Sequence, residues 1–200
     1  MKKILHVISS PRGKDSFSIQ LGNAILEKLK IQYPESTITE YDLVKAKFPH
    51  LEESHLGSFY TPPENRNSAQ IEAVKHSDEA IQQLFDADII VIGAPMYNFN
   101  IHSSLKAWID HIVRSGKTFK TDGSSAEGLL HDKKVYIAVA SGFIYSKGPM
   151  QSIDFITPYL KTMLAFIGLK DITIFRVEGT ALPDTKETAL EEGIASIQFS

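Results

Sequence analysis

The chain has 200 residues and a mass of 22.3 kDa, a length that favours one domain over two, so residues 1–200 are expected to form a single domain. A formal net charge of -3 argues against the basic surface that nucleic-acid binding requires. The absence of cysteine excludes disulfide scaffolds, thiolate catalysis and cysteine-ligated metal sites, and it suits a reducing cytoplasm. Since no apolar run approaches the roughly 20 residues of a membrane span, we expect a cytoplasmic protein without a membrane partner.

Five apolar runs alternate with amphipathic segments along the chain. The predicted strands are Lys3–Ser9, Thr37–Asp42, Asp88–Pro95, Lys134–Ser141 and Asp171–Val177. The third contains Ile89–Ile92 without any polar alternation, as expected of a strand that is covered on both faces. This order of strands and helices predicts an α/β fold with a parallel sheet and helices on both of its faces.

Helical spacing of apolar residues marks most of the connections between these strands. The predicted helices are a segment running to about Gln32, an amphipathic stretch over Leu105–Val113, a second over Ile156–Ile167 and a last helix opened by the capping-box pattern Asp184-x-x-Glu187. Gly116 and Gly168 follow the second and third of these as C-terminal stops. The stretch Lys45–Asn67, with three prolines, is expected to be an irregular connection, and connections of that length are usually functional or pack on a partner.

The first loop of interest is Ser9–Ser18, which joins the first strand to a helix. In an open parallel sheet, ligands bind beyond the carboxyl ends of the strands. A hydroxyl-rich loop that leads into a helix N-terminus suits a phosphate group, and Arg12 and Lys14 add positive charge. An N-cap serine in a solvated turn is the alternative. The sequence contains neither a Walker loop nor a dinucleotide G-x-G-x-x-G pattern.

Two further strand ends carry unusual residues. Ala94–Asn100 interleaves aromatic side chains and a methionine with Asn98 and Asn100, which suits a flat heteroaromatic ring better than a solvated loop does. Core packing is the alternative for those aromatics. Ala140–Pro149 contains Gly142, which allows a ligand to approach the backbone closely, although a plain glycine turn would also explain it. The three loops together are more specific than any one of them.

These residues resemble the FMN-dependent NADH azoreductases, also described as NADH:quinone oxidoreductases. The most specific match is Ala94-Pro95-Met96-Tyr97-Asn98-Phe99-Asn100-Ile101, and the likeness extends from the Ser9-Ser10 turn to the last helix. Further matches are Ser115–Phe119, Glu127-Gly128-Leu129, Lys147-Gly148-Pro149, Thr157–Leu160, Phe166-Ile167-Gly168 and Val177-Glu178-Gly179. The resemblance implies a flavodoxin-like, doubly wound five-stranded sheet of order 2-1-3-4-5. It also implies a homodimer with one tightly bound FMN per subunit and NADH as the electron donor.

The resemblance implies a set of site residues as well. The implied cofactor contacts are Ser10, Ser16, Phe17 and Ser18 near the phosphate, and Met96, Tyr97, Asn98, Phe99, Ala140, Ser141, Gly142 and Phe143 near the ring and ribityl chain. Asn98 and Phe143 are also expected in the substrate pocket, together with Phe119 across a dimer interface. The family often has a glycine where Phe143 stands. No side chain is expected to act as an obligatory catalytic base, because the flavin carries the chemistry.

The implied reaction is a ping-pong, two-electron reduction of quinones together with reductive cleavage of azo bonds. A flavodoxin-type electron carrier that docks on protein partners is the alternative, although such carriers are shorter and more acidic than this chain. The loop aromatics Phe59, Phe99, Phe119, Phe143 and Tyr145 indicate an obligate dimer with the active site at the seam. The seven histidines form no metal-binding pattern, so no metal site is expected.

Overall fold

A computed structural model describes residues 1–199. Its strands are β1 (Lys3–Ile8), β2 (Thr37–Asp42), β3 (Ile89–Pro95), β4 (Phe119–Thr121), β5 (Ala126–Gly128), β6 (Lys134–Ala140) and β7 (Asp171–Val177). Its helices are α1 (Phe17–Gln32), α2 (Glu53–Tyr60), α3 (Ser68–Asp86), α4 (Ser103–Ile112), α5 (Ile156–Phe166) and α6 (Ala189–Ala195). Five strands form one parallel sheet of order β2-β1-β3-β6-β7. Renumbered within that sheet, this is the expected order 2-1-3-4-5, so the predicted fold class is confirmed.

The sheet separates two apolar layers. On one face, alternate residues of β1 and β3 such as Leu5 and Ile90 pack with buried residues of α3, α4 and α5, among them Trp108. On the other face, residues such as Ile4 and Val91 pack with buried residues of α1 and α6. Every residue of β3 is buried, because both of its faces are covered by helices. The unbroken apolar run in the sequence therefore marks the central strand of the sheet.

The five predicted strands of the main sheet agree with the structure to within one residue at each end. Helix α4 begins two residues before the predicted amphipathic stretch and ends one residue before its end, and its apolar side faces the core. Helix α5 ends shortly before Gly168, whose φ of 105° lies in the left-handed region that favours glycine. The apolar periodicity and the glycine stop were sufficient signals for these elements.

The expectation that Lys45–Asn67 is irregular throughout is wrong, because the segment contains α2. Its capping box consists of Glu52 and His55, a pair outside the usual Ser/Thr and Glu/Gln pattern. Near its C-terminal end, Arg66 Nε donates to the carbonyls of Ser58 and Thr61 at 3.1 and 3.0 Å. Side-chain contacts with nearby backbone groups therefore stabilise a helix that apolar periodicity does not predict.

The predicted start of the last helix is also wrong. Residues 184–188 form turns, and α6 begins at Ala189 after Thr188, which makes no side-chain cap. A local contact competes with the helix start, since Thr185 Oγ1 donates to the carbonyl of Gly179, six residues earlier, at 2.8 Å. Backbone bonds from Thr185 and Lys186 to the carbonyl of Leu182 complete the turn.

The short antiparallel hairpin of β4 and β5 has no counterpart among the predicted elements. Its stem lies against the end of α5, where a Cβ on Gly128 would overlap the backbone of Gly168. The Leu130 N–H extends this contact by donating to the carbonyl of Ile167 at 3.0 Å. At the tip, Asp122 Oδ1 accepts the backbone N–H groups of Ser124 and Ser125.

Candidate functional site

The loops that follow β1, β3 and β6 meet at one edge of the sheet, because these three strands are neighbours. Between them lies a cavity of about 110 Å³. Its lining residues are Ser10, Arg12, Ser16, Phe17, Pro95, Met96, Tyr97, Ala140, Ser141, Gly142 and Thr180. Eight of them belong to the predicted cofactor set, so the fold does bring the three loops together.

Three lining residues lie outside that set. Arg12 belongs to the first loop and was noted only for its charge, and Pro95 ends β3. Thr180 comes from the loop after β7, which the sequence reasoning did not include in the site. Its hydroxyl donates to the carbonyl of Ser141 at 3.2 Å, which ties the fourth loop to the third. The proximity of the adjacent strand end was the signal that could have found it.

The start of α1 presents a set of buried hydroxyl groups. Ser10, Ser16 and Ser18 are 3%, 2% and 0% exposed, and the Oγ atoms of Ser16 and Ser18 lie 3.0 Å apart. Ser16 precedes α1 without capping it through its side chain, so the first-turn N–H groups are left for another acceptor. Ser18 does not line the cavity and lies behind Ser16 as its hydrogen-bond partner. The arrangement suits an anion at the helix N-terminus.

The turn after β3 has an unusual backbone. Tyr97 and Asn100 exchange two backbone hydrogen bonds of 2.9 and 3.0 Å around Asn98 and Phe99. Both central residues are left-handed, with φ values of 48° and 68°, as a type I′ turn requires. Asparagine tolerates this region, whereas a phenylalanine there is strained, a feature that is common at functional sites. The turn holds the Asn98 side chain and the half-exposed Phe99 ring at the mouth of the site.

A second, larger cavity of about 570 Å³ shares Tyr97 with the first. It is lined by Tyr97, Asn98, Asn100, Ile101, His102, Ser103, Lys106 and Tyr159. His102 precedes α4, and its Nδ1 accepts the backbone N–H of Ser104 at 3.3 Å. Burial lowers the pKa of His102 and so favours the neutral ring, and a neutral ring whose Nδ1 accepts the Ser104 N–H carries its proton on Nε2.

The loop after β6 is held by short backbone contacts. Ser141 N–H donates to the carbonyl of Val177, and the Ser141 hydroxyl donates to the carbonyl of Phe143, at 2.9 and 2.8 Å. Gly142 lies close to the neighbouring loop, since a Cβ there would stand 3.3 Å from the Cβ of Ala181. Phe143 is 50% exposed and lines neither cavity, so it stands outside the walls of the site.

Two aromatic residues that were expected in exposed loops, Phe119 and Tyr145, are at least partly buried. Phe119 lies on β4, half-buried, with its ring centroid 4.7 Å from that of Phe166, and it lines neither cavity in the single chain. Tyr145 is only 5% exposed and contacts Phe99 edge to face, so the expectation that it adds to an exposed aromatic surface is wrong. Burying a ring in the core of its own chain is the usual fate of a loop aromatic.

Among residues 1–199, no group of three or more His, Cys, Asp or Glu side chains is arranged to hold a metal ion. Over the same described range, none of the helices combines the length and the apolar character needed to cross a membrane.

The parallel sheet, its strand order and the hydroxyl-lined site at the strand ends are features of the doubly wound α/β proteins. The chain belongs to the flavodoxin-like fold family, whose model matches residues 2–198.

Within that family, the sequence is 48% identical over 182 residues to an FMN-dependent NADH:quinone oxidoreductase of Herminiimonas arsenicoxydans, covering 91% of this chain and 89% of that one. It is 43% identical to a protein of the same name from Rhizobium johnstonii, covering 99% and 97% of the two chains. Among solved structures, an azoreductase from Bacillus anthracis superposes with a TM-score of 0.89 at 29% identity, covering 98% and 96%. An FMN-dependent NADH-azoreductase from Bacillus anthracis in complex with FMN gives 0.86 at 29% identity, covering 98% and 97%. The family resemblance inferred from the sequence is thereby confirmed.

Proposed function

We propose that this chain is an FMN-dependent NADH:quinone oxidoreductase that also reduces aromatic azo compounds. The observation that carries the proposal is the site itself, where buried hydroxyls at the start of α1 face a glycine loop and an aromatic turn. Relatives with that name, and azoreductases of the same fold, match nearly the whole chain. Both acceptor classes are therefore supported from independent comparisons.

The residues present fit the phosphate of FMN. The Ser10 and Ser16 residues line the cavity although they are almost fully buried. Folding has already removed these serines from water, so this desolvation cost does not weaken phosphate binding. Ser10 Oγ accepts the Arg12 N–H at 3.3 Å, which leaves its own proton free to donate into the cavity. The uncapped first turn of α1 adds backbone donors and a positive dipole end.

When bound, FMN supplies the redox chemistry, because its ring accepts two electrons from NADH and passes them to a quinone or an azo bond. The chain binds and orients. Ser10 and Ser16 would hold the phosphate, and Met96, Tyr97 and Gly142 would flank the ring. The larger cavity, which adjoins at Tyr97, offers Asn98 and the His102 Nε2–H as hydrogen-bond donors to a carbonyl-bearing acceptor.

A single ring site has to serve the donor and the acceptor in turn, and this is the basis of a proposed ping-pong mechanism. The two cavities meet at Tyr97, and the chain has no dinucleotide fingerprint that would provide a separate nicotinamide site. The oxidised nicotinamide must then leave before the acceptor enters.

We also propose that the active unit is a homodimer with the site at its seam. Phe99 and Phe143 are 44% and 50% exposed beside the site, and Phe155 and Phe166 on the neighbouring segment are 49% and 38% exposed. Phe99, Phe143 and Phe155 lie at the site edge of the sheet, whereas Phe166 ends α5 beside Phe119, and exposed rings of this kind mark an interaction surface. A cytoplasmic location is proposed with it, because the proposed donor NADH is an intracellular molecule.

The experiment that tests the function is an anaerobic assay of the purified chain loaded with FMN. We expect NADH oxidation that depends on an added quinone or azo dye, without any further protein. A flavodoxin-type carrier receives electrons from a protein reductase, so NADH that remains unoxidised until such a reductase is added would favour that alternative. The names of the relatives favour the enzyme.

A further inference from the structure

A charged cluster lies behind the site and outside both of its cavities. At its centre is Arg176, near the end of β7, whose side chain is 19% exposed. One terminal nitrogen of the guanidinium lies 2.8 Å from Asp154 Oδ2, and the other lies 3.3 Å from Glu178 Oε1. The nitrogen that faces Asp154 also contacts Thr157 Oγ1. None of these four residues lines either cavity of the site.

Glu178 connects Arg176 to the loop after β6. Its Oε1 accepts the backbone N–H groups of Tyr145 and Ser146 at 2.8 and 3.0 Å. These two residues closely follow Gly142, which lines the smaller cavity. The carboxylate therefore fixes the course of this loop immediately after it leaves the site.

Asp154 connects Arg176 to the turn after β3. Its Oδ1 accepts the N–H groups of Ile156 and Thr157 at 3.0 and 3.1 Å and so holds the first turn of α5. The intervening Phe155 donates its N–H to the carbonyl of Phe99 in the left-handed turn at 3.2 Å. Burial raises the pKa of Asp154, but hydrogen bonds from Thr157 and Arg176 outweigh it and lower the pKa overall, so the carboxylate is charged.

The connections through Glu178 and through Asp154 lead to two loops, after β6 and after β3, that contact each other. The rings of Phe99 and Tyr145 pack edge to face with their centroids 6.3 Å apart. A planar guanidinium with fixed donor directions can bridge two carboxylates at once, whereas a lysine ammonium is a single point charge on a flexible stem. One side chain thus connects both walls of the ring site from behind.

We propose that Arg176 is a positioning residue for the flavin ring, acting through Glu178 and Asp154 to hold the loops after β6 and β3 at a fixed separation. The inference rests on the proposed function, since it assumes that a flavin ring lies between these loops. When the loops on either side of the ring site are ordered before the flavin binds, less conformational entropy is lost on binding. The phosphate site at the start of α1 is built by other residues and is independent of Arg176.

The test is a titration of the apoprotein with FMN and with riboflavin, followed by flavin fluorescence well below the melting temperature. Arg176→Lys should weaken both flavins equally and by at least about tenfold, because the ring site and not the phosphate site is disturbed. Glu178→Ala should do the same. Glu178→Gln keeps a carbonyl oxygen for the Tyr145 and Ser146 N–H groups, so it should stay within about threefold of the wild type.

Arg66→Lys is the matched control, because Arg66, like Arg176, makes several hydrogen bonds and approaches an acidic side chain: its partners are the carbonyls of Ser58 and Thr61 and the carboxylate of Asp78, on a segment that lines neither cavity. It should lower the melting temperature and leave both affinities unchanged. If Arg176→Lys lowers only the melting temperature, or weakens FMN alone, the inference is overturned. If that variant does not fold, the comparison of Glu178→Ala with Glu178→Gln decides, and equal affinities for the two overturn it. A wild-type chain that binds neither flavin overturns the proposed function itself, and the inference with it.

Discussion

Replacing Ser16 and Ser18 together with alanine should weaken FMN binding at least about tenfold while leaving riboflavin binding nearly unchanged. The Ser16 hydroxyl lines the cavity, and a hydrogen bond from it to a phosphate is charge-assisted. Such a bond contributes roughly 1.5–3 kcal/mol, which corresponds to roughly tenfold to 150-fold in affinity. Ser18 Oγ lies 3.0 Å behind Ser16 Oγ and orients it, so Ser16→Ala alone should account for most of the loss.

The assay is a fluorescence titration of the apoprotein with each flavin, with the two single variants measured beside the double one. Ser36→Ala is the matched control, because the Ser36 Oγ is buried, has no hydrogen-bond partner within residues 1–199 and lies outside the site. Equal losses for FMN and riboflavin would place the phosphate elsewhere. A larger effect from Ser18→Ala than from Ser16→Ala would refute the assignment of Ser16 as the direct contact.

Other consequences of the structure can be measured separately. Burial lowers the pKa of both His6 and His111 from 6.5 to about 4. Between these pH values the unfolded chain binds more protons than the folded chain. The free energy of unfolding should therefore fall as the pH decreases from about 6.5 to about 4. The free energy of unfolding should change by about 1.4 kcal/mol per pH unit for each histidine. Urea denaturation at several pH values should show a smaller slope for the His6→Asn variant than for the wild type. Double-reciprocal plots with NADH varied at several quinone concentrations should give parallel lines, whereas intersecting lines would indicate a ternary complex. Phe119→Ala should change quinone and azo-dye parameters more than FMN affinity; loss of FMN with an unchanged acceptor profile would place Phe119 beside the cofactor instead. Sedimentation at micromolar concentration should give about twice the chain mass of 22.3 kDa, and a fully active monomer would contradict the dimer.

The sheet and the meeting of three loops could be predicted from the sequence because both depend on strong local signals. A run such as Ile89–Ile92 is stable only where both faces are covered, and parallel strands necessarily end at the same edge of their sheet. The strand order came from the family resemblance, since apolar patterns identify strands without specifying their neighbours. The serines before α1 were recognisable because hydroxyl groups at a helix N-terminus suit a phosphate, and Gly142 after β6 because a glycine lets a ligand approach the backbone.

The helix bounds that were missed depend on contacts between a side chain and a backbone carbonyl five to eight residues away, which apolar periodicity does not reveal. Helix α2 is stabilised by Arg66, and α6 starts late because Thr185 bonds to Gly179 instead of allowing a helix to begin at Asp184. Each strand of the β4–β5 hairpin has three residues, too few for a period-2 pattern to emerge. Thr180 joined the site only because its loop lies beside the loop after β6.

The hairpin has a tightly packed stem and an open tip. Its stem meets α5 glycine against glycine, at Gly128 and Gly168, so not even a methyl group fits between the two backbones. Its tip is exposed, and no atom lies within 4 Å of a Cβ built on Gly123. The φ of 90° at Gly123 still favours glycine at that one position, so the exposed residues beside Gly123 are the natural point for a peptide tag or a fluorophore in this enzyme.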